Sequence, residues 1–519
     1  MKLGPFKNDP ITDFSKPANC EKQIKAIQKV EKEFGKSYTL MVGGKAVKTE
    51  AQIKSINPSQ KDQVIGYFSK ATKEIAEKAV VEAAKKFETW KYTPAEERAK
   101  ILLKASEIIK KKRFEINAWM ISEAGKNFTE ADADTAEAID FLEFYAREIL
   151  RYSAKQPITK VAGEDNELTY IPLGTYAVIP PWNFPFAILV GMTSAAIVAG
   201  NTVVLKPSSD TPMMGWLFYK ILEEAGLPKG VLNFVPGSGA EVGDLIVGHK
   251  LTRGIAFTGS VSVGCHINEL AAKVQPGQIW LKRVIAEMGG KDSIIVDSEA
   301  DVDDAVNGVI ASAFGFQGQK CSACSRAIVD QKVYKEFVEK LKAGVEKLQV
   351  GPAKENIKMG PVIGQAAEKS ILGYIETGKK ESKLLTGGNK AEGNGFYIEP
   401  TVFVDVKPDA VISLEEIFGP VLAVIKSKNF EDSLKIANNT IYGLTGAIYA
   451  KNDEKLERAR KEFFVGNLYL NRKCTGALVG GHPFGGFNMS GTDSKAGGRD
   501  YLLLFLQAKL VSKKIFKKK

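Results

Sequence analysis

The sequence predicts an α/β protein: a doubly wound parallel sheet, a second α/β unit and a small projecting β-hairpin. Two observations carry this. Between residues 175 and 292, strand-like segments (TYAVIP, TVVLKPS, VLNFVPG, GIAFTGS) alternate with helical ones (FAILVGMTSAAIVAG, MMGWLFYKILEEAG, VGCHINELAAK). Such alternation implies parallel strands joined by crossover helices, the nucleotide-binding architecture. A second alternating block starts with SIIVD at 293–297 and holds a helix near 300–313. It continues through SRAIVD, GFYIEPTVFVDV and GPVLAVIKS to GNLYLN at 466–471. Two such units leave a cleft, and clefts house small-molecule chemistry.

Taken in order, the first 150 residues read as helical after an extended lead. Ala76, Ala79, Val80, Ala83, Ala84 and Phe87 recur at helical spacing, and Thr93-Pro94-Ala95-Glu96 reads as a capping box opening the next helix. The stretch 151–172 is short, polar and β-prone, with a Gly163-Glu164-Asp165-Asn166 turn, and predicts a local hairpin of the kind that serves as an oligomer arm.

A chain of 519 residues exceeds what one hydrophobic core covers, so two or three structural units are expected. Hydrophobic residues at 44% and charged residues at 26% exclude a disordered or low-complexity protein. No apolar run reaches the roughly 18 residues of a membrane span, and positions 1–13 lack the order of a signal peptide, so a soluble cytoplasmic protein is expected. Of the net charge of +11, much sits in Lys513, Lys514, Lys517, Lys518 and Lys519, while Lys and Glu alternate along 21–36. That pattern argues for a solvated tail and against a nucleic-acid or membrane partner. Cys20, Cys265, Cys321, Cys324 and Cys474 are odd in number and scattered, which suits a reducing compartment. His249, His266 and His482 are too dispersed for a zinc site, so no metal is expected.

No GxGxxG is present. Gly237-Ser238-Gly239-Ala240-Glu241-Val242-Gly243 is one residue too long, and Phe257-Thr258-Gly259-Ser260 places a strand end beside a helix N-terminus, where N–H groups can meet a pyrophosphate. Alone, either is equally an ordinary tight turn. Pro181-Trp182-Asn183-Phe184-Pro185, Lys206-Pro207-Ser208, Phe257-Thr258-Gly259-Ser260, Glu287-Met288-Gly289-Gly290-Lys291, Gly318-Gln319-Lys320-Cys321 and Glu416-Ile417-Phe418-Gly419-Pro420 follow in this order. Together they resemble the aldehyde dehydrogenase superfamily over nearly the whole chain.

The resemblance implies oxidation of an aldehyde to a carboxylic acid with NAD, and with NADP as a further possibility. It implies an NAD-binding domain (1–148 and 173–287), a catalytic domain (288–487), and an oligomerisation arm with the tail (149–172 and 488–519), hence a homo-oligomer built on dimers. Cys321 is the expected nucleophile, because a thiolate attacks at near-neutral pH and neighbouring Lys320 should lower its pKa. The resemblance assigns the oxyanion donors to the Asn183 amide and the Cys321 N–H, and the hydrolytic base to Glu287. It assigns the adenosine-ribose hydroxyls to Lys206 and the nicotinamide ribose to Glu416, with Phe418 beside it. Further cofactor contacts are expected from Ile179, Pro181, Trp182, Ser209, Gly237, Phe257, Gly259, Ser260, Val263, Met288 and Gly289. Ser209 stands where NAD-preferring relatives carry Glu, which weakens discrimination against a 2′-phosphate.

The stretches Lys473-Cys474-Thr475-Gly476-Ala477, His482-Pro483-Phe484-Gly485-Gly486 and Ser490-Gly491-Thr492-Asp493-Ser494-Lys495 resemble the branch of that family acting on L-glutamate γ-semialdehyde in proline breakdown. An α-carboxylate needs donors, and Ser322 with the N–H groups of Gly476 and Ala477 can supply them. Phe184 and Phe484 are expected to flank the aliphatic linker, although packing alone would also explain a Phe there. Lys320 completes the expected substrate set. For the α-ammonium, Asp132 in the acidic run 130–134 is the candidate acid, against a plain solvated helix face. Lys473, Gly480-Gly481, Arg499 and Cys324 depart from the branch pattern. Lys473 either tightens carboxylate binding or points to water; Cys324 either captures an oxidised Cys321 or fills a glycine's space. Another ω-acid semialdehyde, such as succinate semialdehyde, keeps the fold and changes the substrate. A non-catalytic binding protein is the alternative from another class.

Overall fold

Strands buried on both faces build two seven-stranded sheets. The computed structural model describes residues 3–516; Lys517, Lys518 and Lys519 of the basic tail lie outside the described residues. In the first sheet, Arg283–Glu287, Thr252–Thr258, Thr175–Ile179, Thr202–Leu205 and Leu232–Phe234 run parallel, and the hairpin of Leu40–Val42 and Lys45–Val47 adds antiparallel to its edge. Alternate residues of one strand serve opposite cores: Tyr176 and Val178 pack on one face, Ala177 and Ile179 on the other. Burial on both faces is why these strands read as continuous apolar runs.

The second sheet orders Lys383–Thr386, Thr401–Val404, Val421–Ser427, Cys324–Asp330, Asp292–Val296, Thr445–Tyr449 and Asn467–Leu470, all parallel except its first pair. Ile294 and Val296 face one core and Ile295 the other. The predicted doubly wound sheet and second α/β unit are both present.

Three local expectations fail. The first 150 residues are not helical throughout, because Lys36–Tyr38, Gln52–Asn57 and Gln60–Ser69 form a separate three-stranded sheet. The stretch 151–172 is no local hairpin: helix Phe128–Ser153 extends into it, and Glu164–Pro172 pairs antiparallel with Leu506–Lys514 from the other end of the chain. Glu164, Asp165 and Asn166 lie in that strand rather than in a turn. Helix Ala95–Ala124 starts on Pro94 without a side-chain cap, so Thr93 makes no capping box. The box forms at Asn127, whose side chain accepts from Glu130 N while Glu130 accepts from Asn127 N. Among the described residues, no helix is long and apolar enough to cross a membrane.

Candidate active site

The C-terminal ends of the first sheet's parallel strands open into a cavity of about 500 Å³, within the range of small-molecule sites. Ile179 ends one strand, Lys206 follows another, Phe257 and Thr258 end a third, and Met288 and Gly289 follow a fourth. Of the expected cofactor residues, Ile179, Pro181, Trp182, Lys206, Ser209, Phe257, Gly259, Ser260, Val263, Met288, Gly289, Glu416 and Phe418 line this cavity, and so does Cys321. Gly237 sits behind it, its carbonyl accepting from Lys206 Nζ at 3.2 Å. Burial depresses the Lys206 ammonium to about 8. Trp182 and Phe418 meet edge to face with centroids 5.4 Å apart.

Gly289 and Gly290 are required by close approach. A Cβ on Gly289 would lie 2.1 Å from Glu416 Oε2, and one on Gly290 would lie 2.3 Å from Cys321 O. The second unit's Glu416 is thereby locked against the strand end of the first, with Gly290 N donating to its Oε1 at 3.0 Å. Burial raises the Glu416 carboxyl to about 7. These features fit a dinucleotide: a buried ammonium, a carboxylate at a glycine pair, and the N-terminus of helix Val261–Ala272 behind Gly259 and Ser260.

Cys321 follows a turn in which Phe316, Gln317 and Gly318 all take positive φ (50°, 56° and 66°). Such strain costs of order 1–3 kcal/mol per non-glycine residue and persists only where neighbours over-determine it. Here Phe316 N donates to Glu130 Oε1, Gln317 Nε2 to Pro361 O, and Ile363 N to Gln319 Oε1. Asn183 Nδ2 donates to Gln319 O at 3.0 Å, which places one amide hydrogen on the nucleophile's loop and leaves the second to serve an oxyanion. Glu287 accepts from Ser494 Oγ, and burial raises its carboxyl to about 8.

Lys320 does not lower the Cys321 pKa. Burial, together with Asp292, Glu416 and Glu287, pushes the thiol well above its ordinary value. The Lys320 ammonium instead lies near Gly315, among the fields of Glu130, Lys126 and Lys473, and burial lowers its own pKa.

Residues 46–511 match the aldehyde dehydrogenase family. The chain belongs to the aldehyde dehydrogenase family. It is 57% identical over 509 residues to 1-pyrroline-5-carboxylate dehydrogenase of Geobacillus thermodenitrificans, covering 98% of this chain and 99% of that protein. The solved 1-pyrroline-5-carboxylate dehydrogenase from Thermus with bound NAD superposes with a TM-score of 0.98 at 50% identity, over 99% of this chain and 100% of that one. Betaine aldehyde dehydrogenase from Staphylococcus aureus in complex with NAD+ gives 0.88 at 27% identity, over 96% and 98%.

On the far side of Cys321, this aldehyde dehydrogenase ties its nucleophile loop to the 474–477 loop. Ser322 O accepts from Cys474 Sγ at 3.4 Å and from Thr445 Oγ1 at 3.5 Å. Gly476 is exposed with φ +81°, Ala477 is half-buried, and the Lys473 side chain runs beside Gly476. Phe184 and Phe484 are half-buried, and Phe184 lies on Lys126 Nζ, 4.0 Å from its ring centroid. Cys324 lies in the second sheet's core, its thiol donating to Arg326 O at 3.4 Å.

Asp132 is not a substrate residue. Its carboxylate is fully buried and filled by Arg113 Nε and Nη2, Thr12 N and Oγ1, and Asn117 Nδ2. The same helix carries Glu137, half-buried within the fields of Asp134, Lys126 and Lys320 and raised by burial to about 8. Its signal was available in the sequence as the stripe Glu130, Asp134, Glu137 at helical spacing.

Proposed function

We propose that this enzyme oxidises L-glutamate γ-semialdehyde to L-glutamate with NAD, the last step of proline breakdown, as the names of its relatives indicate. The observation that carries the reading is the position of Cys321 between the cavity lined by cofactor-type residues and the 474–477 loop, tied through Cys474 to Ser322, whose Gly476 and Ala477 N–H groups can donate to a carboxylate. In this reading Cys321 gives up its thiol proton to solvent and adds to the aldehyde carbon as the thiolate, and the new oxyanion takes hydrogen bonds from Asn183 Nδ2 and Cys321 N. When bound, NAD accepts the hydride that the aldehyde carbon gives up. A thioester on Cys321 remains, and Glu287 takes a proton from the water that hydrolyses it, releasing the acid and the thiol.

Lys206 would hold the adenosine ribose and Glu416 the nicotinamide ribose. Ser322, Gly476 and Ala477 would bind the α-carboxylate, with Phe184 and Phe484 along the linker and Lys320 beneath. Glu137 takes the role once expected of Asp132: a bound ammonium favours the ionised carboxylate and pulls its raised pKa down. NAD is the preferred cofactor, because Asp210 lines the cavity one residue beyond Ser209 and brings a negative charge close to Lys206. The split into an NAD-binding domain (1–148 and 173–287), a catalytic domain (288–487) and an arm with the tail (149–172 and 488–519) belongs to the same proposal. The exposed Leu510, Val511 and Phe516 beside the two-stranded sheet support a homo-oligomer. Five unpaired cysteines support a cytoplasmic site.

The test is NADH formation with pyrroline carboxylate against a panel of aldehydes, including succinate semialdehyde. A kcat/KM for succinate semialdehyde equal to that for glutamate semialdehyde would overturn the substrate assignment.

A further inference from the structure

The helix Phe128–Ser153 carries two acids, Asp132 and Asp140, that the chemistry above does not use, and both are bound by the segment 6–12. Asp140 Oδ2 accepts from Asn8 Nδ2 at 2.8 Å and its Oδ1 from Asp9 N at 2.7 Å; Asp132 accepts from Thr12 N at 2.6 Å and from Thr12 Oγ1 at 2.9 Å. Eight helical residues rise about 12 Å, and four extended residues span about 13 Å, so the segment matches the distance between its anchors while running antiparallel to the helix. Arg113 of the neighbouring helix clamps the middle, reaching Asp9 Oδ2 and Pro10 O as well as Asp132.

The far edge of this segment touches the substrate loop. The same Asn8 amide that donates to Asp140 also donates to Val479 O at 3.0 Å, so both its hydrogens are used. Phe6 packs edge to face on Phe144 and under Gly480, where a Cβ would lie 3.1 Å from the Phe6 ring. Gly480 has φ +78°, and Val479 follows Gly476 by three residues and Ala477 by two.

We propose that residues 6–12 form a strap that positions the 476–480 loop for the substrate's α-carboxylate, with Asn8 as its positioning residue. The proposal rests on the reading of Gly476 and Ala477 as carboxylate donors. A strap of this kind acts on the amino-acid end of the substrate rather than on the thiol chemistry, because the turn before Cys321 is held separately by Glu130, Pro361 and Ile363, and the strap meets the loop at Val479 and Gly480, beyond the Cys474 contact to Ser322.

Asn8→Ala and, separately, Phe6→Ala test this in the full chain, with a thermal melt confirming a cooperative fold. For Asn8→Ala, KM for glutamate semialdehyde should rise about fivefold, the equivalent of one hydrogen bond of ~1 kcal/mol, with kcat within twofold and kcat/KM for propanal unchanged. Hydrogen exchange over 474–482 should accelerate in both variants, since the Leu478, Gly480 and His482 amides there are hydrogen-bonded in the native loop. Unchanged exchange in both variants overturns the strap, and so does an equal loss for both aldehydes. Should the wild type show no preference for the semialdehyde, the functional reading fails and the exchange measurement alone decides the strap.

Discussion

Removing the hydroxyl of Ser494 should slow the release of the acid product without touching the oxidation that precedes it. The Ser494 hydroxyl and N–H both donate to Glu287 Oε1, favouring the ionised carboxylate against a burial that raises it to about 8. With a pKa near 8, about one Glu287 in ten is ionised at pH 7 and about nine in ten at pH 9, so a hydrolysis-limited kcat should climb roughly eight- to tenfold between them. A hydrogen bond to a charged group is worth about 1.5 kcal/mol, close to one pKa unit. Ser494→Ala should therefore move the kcat profile up by about one unit and lower kcat at pH 7 by almost tenfold. Stopped-flow absorbance at 340 nm separates the steps: the first-turnover NADH burst keeps its amplitude, and only the steady phase shifts. An unmoved midpoint, or a lost burst, would refute the assignment of Glu287 as the hydrolytic base. A stability effect accompanies it. Unfolded Glu287 releases its proton near 4.5 and the folded group holds it to about 8, so the native state binds more protons in that window and loses stability as pH rises through it. Glu287→Gln should consequently melt higher than wild type at pH 8.5, with the difference vanishing below pH 4.5.

Cys321→Ala should leave NAD binding intact by fluorescence titration while oxidation falls below about one-thousandth of wild type; higher residual turnover would reassign the nucleophile. Glu137→Gln should raise KM for glutamate semialdehyde at least tenfold, for a charge-assisted contact of about 1.5–3 kcal/mol, and leave butanal unaffected; matching losses would make Glu137 structural. Asp210→Asn should strengthen NADP relative to NAD by about fivefold in dissociation constant, the ceiling for an exposed charge contact of ~1 kcal/mol, and Ser209→Glu should move the ratio the other way. An unchanged ratio in Asp210→Asn would remove that residue from cofactor choice.

The cofactor side was legible because its residues cluster in short motifs at strand ends, where local sequence and site coincide. Thirteen of the fourteen expected cofactor residues line one cavity, and the fourteenth, Gly237, supports Lys206 from behind. Contacts between distant segments were not legible. Glu164–Pro172 carries good strand residues, but its partner lies more than 300 positions on, and a local turn is what such a segment suggests in isolation. The Cys321 environment failed for the same reason. Lys320 is adjacent in sequence, yet the charges bearing most on the thiol come from residues 292, 416 and 287, brought together by two sheets. Adjacency along a chain says little about the field at a buried side chain.

The misassigned acid shows where sequence phase can still be recovered. At about 100° per residue, Glu130, Asp134 and Glu137 fall within about 60° of one another around helix Phe128–Ser153, whereas Asp132 falls on the opposite face and Asp140 to one side, about 60° beyond Glu137. The structure gives the first stripe to the site: Glu130 holds the strained turn before Cys321, and Asp134 pairs with Lys126 beneath Phe184 while accepting from Ala187 N. Glu137 completes that stripe toward Lys320. Asp132 and Asp140 go to the strap instead. Composition alone does not distinguish the acids of the run 130–134; helical phase sets Glu130 and Asp134 apart from Asp132, and one tertiary contact, Phe316 N to Glu130, decides which face meets the chemistry. A charge reversal makes the division measurable: Glu130→Lys should impair turnover of every aldehyde through the nucleophile turn, whereas Asp140→Asn should act only through the strap and so only on the amino-acid substrate.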